Sequence, residues 1–194
     1  MRERGFTVVE LLIAIAIVAM LLVFAAPSAA TWIQNTRLRS AAESVVSCLT
    51  TARLEAIKRN TTVSCQMTDA ASSAWTVCLY DPINNICQTA TTAVLASRSA
   101  AEDNAMTGLG VDTTMSVSTT ALAVGANMPG SSTFDSFGRL ASTAPNNVMR
   151  VDIRNPNINP ATDERRLVVY VTLGGQIHMC DPKLSKATNP MGCQ

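Results

Sequence analysis

The sequence is poor in the residues that build reactive sites. It has one histidine, His178, and no two of its six cysteines are spaced as Cys-x-x-Cys. A structural zinc site, which gathers closely spaced Cys and His ligands, is therefore not expected. No serine stands in a Gly-x-Ser-x-Gly elbow, and no glycine-rich loop is present to cradle a phosphate. His178 has only Asp181 as a nearby carboxylate, and a lone strand histidine is ordinarily structural. No catalytic residue, metal or cofactor is assigned, and the chain reads as a non-enzyme. Internal repeats and long low-complexity tracts are also missing, which excludes a solenoid or a disordered linker protein. The formal net charge is only +1, so no strong field draws the chain to nucleic acid.

What the sequence does have is concentrated at its start. Gly5-Phe6-Thr7-Val8-Val9-Glu10 is followed by an uninterrupted apolar run from Leu11 to Ala26, behind the basic residues Arg2 and Arg4. An ionised carboxylate in the hydrocarbon core costs about 2.5 to 3.5 kcal/mol on insertion scales, so Glu10 reads as functional. Its nearest conceivable partner is a free amine, created by cutting the chain next to Phe6 and leaving Glu10 as the fifth residue. An ordinary secretory signal peptide is the bland reading of the same segment, with Ser28-Ala29-Ala30 as its small-residue cleavage site. Against that reading, Glu10 lies inside what should be an uncharged core, and the helical pattern continues past Ala30 unchanged.

Gly-Phe-Thr-x-x-Glu ahead of about 20 apolar residues resembles the class III signal of type IV pilins and type II secretion pseudopilins. The resemblance implies cleavage after Gly5 by a prepilin peptidase on the cytoplasmic side, N-methylation of Phe6, and assembly into a filament through Glu10. It divides the chain into a leader (residues 1–5), a long helix (6–59) whose segment 6–27 spans the membrane, and a head (60–194). Removal of the leader takes away Arg2, Glu3 and Arg4, which brings the formal charge from +1 to zero.

From Thr31 to Arg59 the pattern becomes amphipathic. Leu38, Ala42, Val45, Leu49, Ala52 and Ala56 recur in steps of four and three, a single apolar stripe on one helix face. Pro27 interrupts the long helix, removing a backbone hydrogen bond, and predicts a kink or local melting near Phe24 to Pro27. By resemblance to pilins, Pro27 also marks where the helix unwinds on packing in the filament; a membrane-exit kink without assembly role is the other reading.

After Asn60 the composition turns to Thr, Ser, Val, Gly and Asn. Thr61 to Met67, Trp75 to Tyr80, Met115 to Thr119, Val148 to Ile153, Leu167 to Leu173 and Gln176 to Cys180 read as strands. Gly174-Gly175 predicts a two-residue turn joining the last pair. Ser97 to Gly110 and Ala121 to Ser132 read as loops or irregular edges, Asn155 to Pro160 as a turn-rich loop, and Asp163-Glu164-Arg165-Arg166 as a solvated, mixed-charge approach to a strand.

Three stretches narrow the resemblance: Ala52 to Asn60, Phe134-Asp135-Ser136-Phe137-Gly138-Arg139-Leu140, and Leu173-Gly174-Gly175 with Cys180-Asp181-Pro182 after it. Together they look like the GspH/FimT/FimU group of minor pilins and pseudopilins. The implied fold is α+β, a long N-terminal helix packed on a head of antiparallel sheets.

Six cysteines point to an oxidising compartment, where an exported head would fold. Cys180 and Cys193 enclose a tail containing Pro182 and Pro190; closing such a loop is worth about 3 kcal/mol in the chain-entropy picture. Cys48 lies about 17 Å before the helix end and Cys65 about 17 Å along a returning strand, so these two can meet. That leaves Cys78 with Cys87 across the Asp81-Pro82 turn. Cys65 with Cys78, across their own hairpin, is the rival pairing and stays open at this stage.

The expected role is structural: a minor pilin of the type IV pilus that initiates or caps assembly. Implied partners are other minor pilins, the major pilin, the prepilin peptidase and the inner-membrane assembly platform. The precursor is expected in the bacterial inner membrane with its head in the periplasm, and the mature subunit in the filament near its tip. A GspH-like pseudopilin of a type II secretion system is the first alternative. A DNA-binding subunit of the FimT kind is the second; there arginines follow the last Gly-Gly turn, whereas this chain has Gln176 and His178. Lys183 and Lys186 leave only weak DNA contact, so nucleic acid is not the expected partner.

Overall fold

A computed structural model of the chain describes residues 7–102, 108–115, 120–155 and 166–193, apart from the side chains of 22–31 and 102. Two compact units, residues 1–36 and 37–194, divide it. The helix α1, Val8–Arg59, begins in the first unit and ends in the second.

In the first unit the helix start is fixed locally. The Glu10 backbone N–H donates to the Thr7 hydroxyl at 3.2 Å, and the Leu11 N–H donates to the Thr7 carbonyl. Thr7 is thus the N-cap and Glu10 the third helical residue, the Thr-x-x-Glu spacing of a capping box. Beyond the cap, Leu11, Leu12, Ile13, Ile15, Ile17, Val18, Met20 and Leu21 are all exposed. Among the described residues no helix is long and apolar enough to cross a membrane. The chain stays helical through Pro27. The melting expected at Phe24 to Pro27 therefore does not occur: the helix is continuous there, its flanking turns propagating it across the bond and space that proline costs.

In the second unit Leu38, Ala42, Val45, Leu49, Ala52 and Ala56 are all buried, joined by Ala41 and Cys48. This stripe shares one core with the inward residues of two antiparallel sheets. The first sheet contains β1 (Val63–Met67), β2 (Trp75–Asp81), β3 (Ile86–Cys87), β4 (Val94–Arg98) and β6 (Gly130–Phe134), ordered β3-β2-β1-β6 with β4 also on β2. The second contains β5 (Gly108–Asp112), β7 (Arg150–Arg154), β8 (Leu167–Val171) and β9 (Ile177–Cys180), ordered β5-β7-β8-β9. Strand alternation sends Val63, Cys65 and Met67, and Leu167, Val169 and Val171, into this core.

Several expectations need correction. Gly108–Asp112 and Gly130–Phe134 are strands, not loops. Of the strand expected at Met115 to Thr119, Met115 belongs to none, and residues 116–119 lie outside the described residues. The last hairpin turns through three residues rather than two. The Thr172 N–H donates to the Gln176 carbonyl and the Gly175 N–H to the Thr172 carbonyl, and of the two glycines only Gly175 has a positive φ, 78°. That is a type I turn closed by one left-handed residue.

Arg166 is not solvated. With Arg150 it flanks the fully buried Asp152: Arg150 donates through Nε and Nη2 at 2.7 and 2.9 Å, and Arg166 through Nη1 at 2.5 Å. Both arginines also donate to the Thr120 carbonyl, while Asp152 accepts from the Leu122 N–H at 2.9 Å. Pairing on this face of the sheet, not exposure, satisfies the charges and ties down the segment after Thr120. Residues 163–165 of the same stretch lie outside the described residues, as do 156–160 of the expected turn-rich loop.

Candidate functional site

Of the residues assigned to processing, Gly5 and Phe6 lie outside the described residues, and nothing is described of the Pro27 side chain. Glu10 is exposed in the first turn of α1. Its position favours a carboxylate twice over, through the cap and through the positive end of the helix dipole. Neither effect requires a partner from another chain, so a local role for Glu10 stands beside the intermolecular one.

In the head, the three stretches that narrowed the resemblance meet at one point. Asp135 organises the turn from Phe134 to Leu140 by accepting from the Phe137 and Arg139 N–H groups through one oxygen, both at 2.9 Å, and from Arg139 Nε through the other. Gly138 sits at φ 73° against α1, where a Cβ would come within 2.8 Å of Ile57 Cδ1. From the helix, Arg53 Nε donates to the Gly138 carbonyl at 3.0 Å. From the last hairpin, Gly175 packs so closely on Gly138 that a Cβ there would overlap its carbonyl oxygen. Gly175 needs to be a glycine because backbone meets backbone with no room between, while at Gly138, whose close neighbour is the movable end of Ile57, the positive φ is what favours one.

Around this junction lie large apolar side chains that the fold does not cover. Phe137 is 75% exposed, Leu173 72%, Leu54 60% and Ile57 47%. The Arg139 guanidinium lies 5.1 Å from the Phe137 ring centroid. Arg139 also lines a cavity of about 410 Å³ with Asp135, Leu140, Ser142, Leu173 and Gly174. Behind Leu54, Glu55 is held by Arg59 at 2.6 Å and Lys58 at 3.3 Å; the Arg59 hydrogen bond above all keeps its carboxyl below the ordinary range. Phe137, Arg139 and Leu173 lie in stretches that carry the family resemblance, with no role that the sequence pattern assigns them. An aromatic at the tip of an Asp-Ser-Phe-Gly turn was the available signal, since a turn tip seldom buries its side chain.

The cysteines pair as Cys48–Cys65, Cys78–Cys87 and Cys180–Cys193, with Cα separations of 5.8, 5.6 and 5.0 Å. The first bond ties α1 to β1, and the second closes the turn from Asp81 to Ile86. There the Asn84 amide, with the Ile83 and Asn84 N–H groups, holds the Asp81 carboxyl below its ordinary range. Lys183 and Lys186 are both exposed in the loop closed by the third bond. His178 is exposed on β9 and stacks on Tyr170 with ring centroids 5.1 Å apart. Among the described residues no group of three or more His, Cys, Asp or Glu side chains could hold a metal ion.

Comparison with known proteins finds two family matches. The prokaryotic N-terminal methylation motif matches residues 1–26, and type II transport protein GspH matches residues 41–175, most of the chain. Arg53, Gly138 and Gly175 all fall within the second match. No curated protein and no solved structure matches the chain.

Proposed function

Because the chain belongs to the GspH family of type II transport proteins and carries the N-terminal methylation motif, we propose that it is a minor pilin of the type IV pilus, which initiates or caps the filament. In this reading a prepilin peptidase cuts after Gly5, Phe6 becomes the methylated N-terminus, and Glu10 attracts the Phe6 amine of a neighbouring subunit. The apolar run holds the precursor in the inner membrane and packs among other pilin helices after extraction by the assembly platform. The head, folded in the periplasm, contacts other minor pilins and the major pilin near the tip.

One observation carries the reading: from Leu11 to Leu21 the apolar side chains of α1 are exposed, with a carboxylate just ahead of them. Lipid or neighbouring helices suit such a surface, and in this reading the free amine of a neighbouring subunit suits such a carboxylate.

Glu10→Gln tests it, because Gln removes the charge while the backbone N–H bond to the Thr7 hydroxyl remains. We expect the Gln variant to be processed at Gly5 yet be missing from sheared filaments, measured by immunoblot. Normal incorporation of Glu10→Gln would leave Glu10 with only its local capping role.

The family description favours a second reading, a pseudopilin of a type II secretion system. Deleting the gene separates the two: loss of surface pili supports the pilus, and loss of secreted enzymes with pili intact supports the secretion system. DNA binding by the head has less behind it, since only Lys183 and Lys186 supply cations in the closing loop.

A further inference from the structure

The exposed surface at the junction of α1, the Phe134 to Leu140 turn and the last hairpin has the composition of a protein contact. It combines the exposed Phe137 and Ile57 and the Arg53 side chain with a cleft of about 410 Å³ beside them, which Arg139, Leu140 and Leu173 line together with Asp135, Ser142 and Gly174. Contact surfaces are enriched in aromatics and Arg at their centres, and contiguous exposed apolar patches mark them.

Charge then restricts the occupant. Among the described residues of this surface and the helix turn behind it, Lys58 and Arg59 pair with Glu55, Arg139 with Asp135, and Arg53 with the Gly138 carbonyl, four cations to two carboxylates. A second copy docking by two-fold symmetry would set each arginine-rimmed patch against itself, with like charges opposed.

We propose that this face docks a pilin-type subunit of different sequence, through an apolar side chain of that subunit flanked by carboxylates. The apolar group enters the cavity beside Leu173 and the carboxylates meet Arg139 and Arg53. Arg53 is already aligned by the Gly138 carbonyl and Arg139 by Asp135, so little side-chain ordering remains to be done on docking. This proposal rests on the assembly reading above and deepens it by naming the docking face.

The test places a photoreactive phenylalanine at position 137 or, separately, at position 18 of the full-length chain in filament-forming cells. Mass spectrometry then identifies the adducts. Position 18, in the exposed apolar run, reports incorporation alone. We expect adducts from 137 to another pilin-type subunit, on a peptide holding both apolar and acidic residues. Leu173→Asp and Arg139→Glu should each lower that adduct at least about fivefold without changing the position-18 adduct. Charge reversal of the partner's acidic residue should restore the adduct in the Arg139→Glu background. Both Leu173 and Arg139 are exposed, and an unchanged thermal melt confirms that each variant folds.

Adducts from 18 but none from 137, or adducts from 137 only to a second copy, would overturn the docking face and leave the assembly reading standing. No adduct from either position would overturn both.

Discussion

Along α1 the same residue types meet opposite surroundings. From Leu11 to Leu21 the large apolar side chains are exposed, whereas from Leu38 to Ala56 the apolar stripe lies beneath two sheets. The first stretch is apolar on every face, so no single covering layer within one chain could bury it. Beyond Leu38 there is one stripe, rich in alanine, and one sheet-built core covers it. Carboxylates divide in the same way. Asp152 finds both its arginines inside the head, whereas among the described residues the Glu10 carboxylate meets no cation. What the chain leaves open is what an assembly has to complete.

Breaking the head's own charge pairing should have the largest effect. Asp152→Ala strands Arg150 and Arg166 in a buried site and should cost about 3 to 5 kcal/mol, read from thermal unfolding of the full-length protein in detergent. Replacing all three by apolar residues of similar volume should recover most of that loss. By contrast, Glu10→Gln should leave the head's melting unchanged.

Next comes a pair of leucines on one helix. Leu49→Ala, at a fully buried site, should destabilise the head by about 2 to 5 kcal/mol, while Leu12→Ala should leave its melting temperature in place. Equal shifts from the two variants would remove the distinction between the halves of α1.

A smaller effect separates two alanines. Ala52→Leu forces a larger side chain under the sheets and should cost about 1 to 3 kcal/mol, whereas Ala14→Leu, on the exposed run, should cost the head nothing.

Acid should act least, and on the head alone. Asp69 is held below its ordinary range by the Ala71 N–H and the Ser72 hydroxyl, and Asp81 by the Asn84 amide. A carboxyl lowered in the fold contributes stability that is complete above its unfolded value, about pH 4, and is lost as pH falls through the lower folded value. Melting between pH 5 and pH 2 should therefore decline, and less steeply in Asp69→Asn.

Much of this was legible because it depends on local pattern. The stripe from Leu38 to Ala56 and the strands carrying Val63 to Met67 and Leu167 to Val171 announce their buried faces by period alone. β6 was not legible, since Gly130-Ser131-Ser132-Thr133 reads as a polar loop. In the fold, Ser132 donates to the Val148 carbonyl and Thr133 to the Ser64 hydroxyl, and both are buried. A polar strand of this kind is stable only where distant partners satisfy it, and those partners cannot be read from its own residues. The apolar face at Phe137 and Leu173 was hidden for a related reason, because it exists only where a turn, a hairpin and a helix converge.

Taken alone, the amino-acid sequence determined the apolar run with its carboxylate, the helical stripe and the family, because each is written in spacings of a few residues. Only the tertiary structure decided which sheet each strand joins, that Arg166 is buried against Asp152, and that Arg53, Gly138 and Gly175 form one surface. Those outcomes depend on contacts between residues dozens of positions apart, and such contacts are selected by how the packed elements fit, which no local pattern encodes.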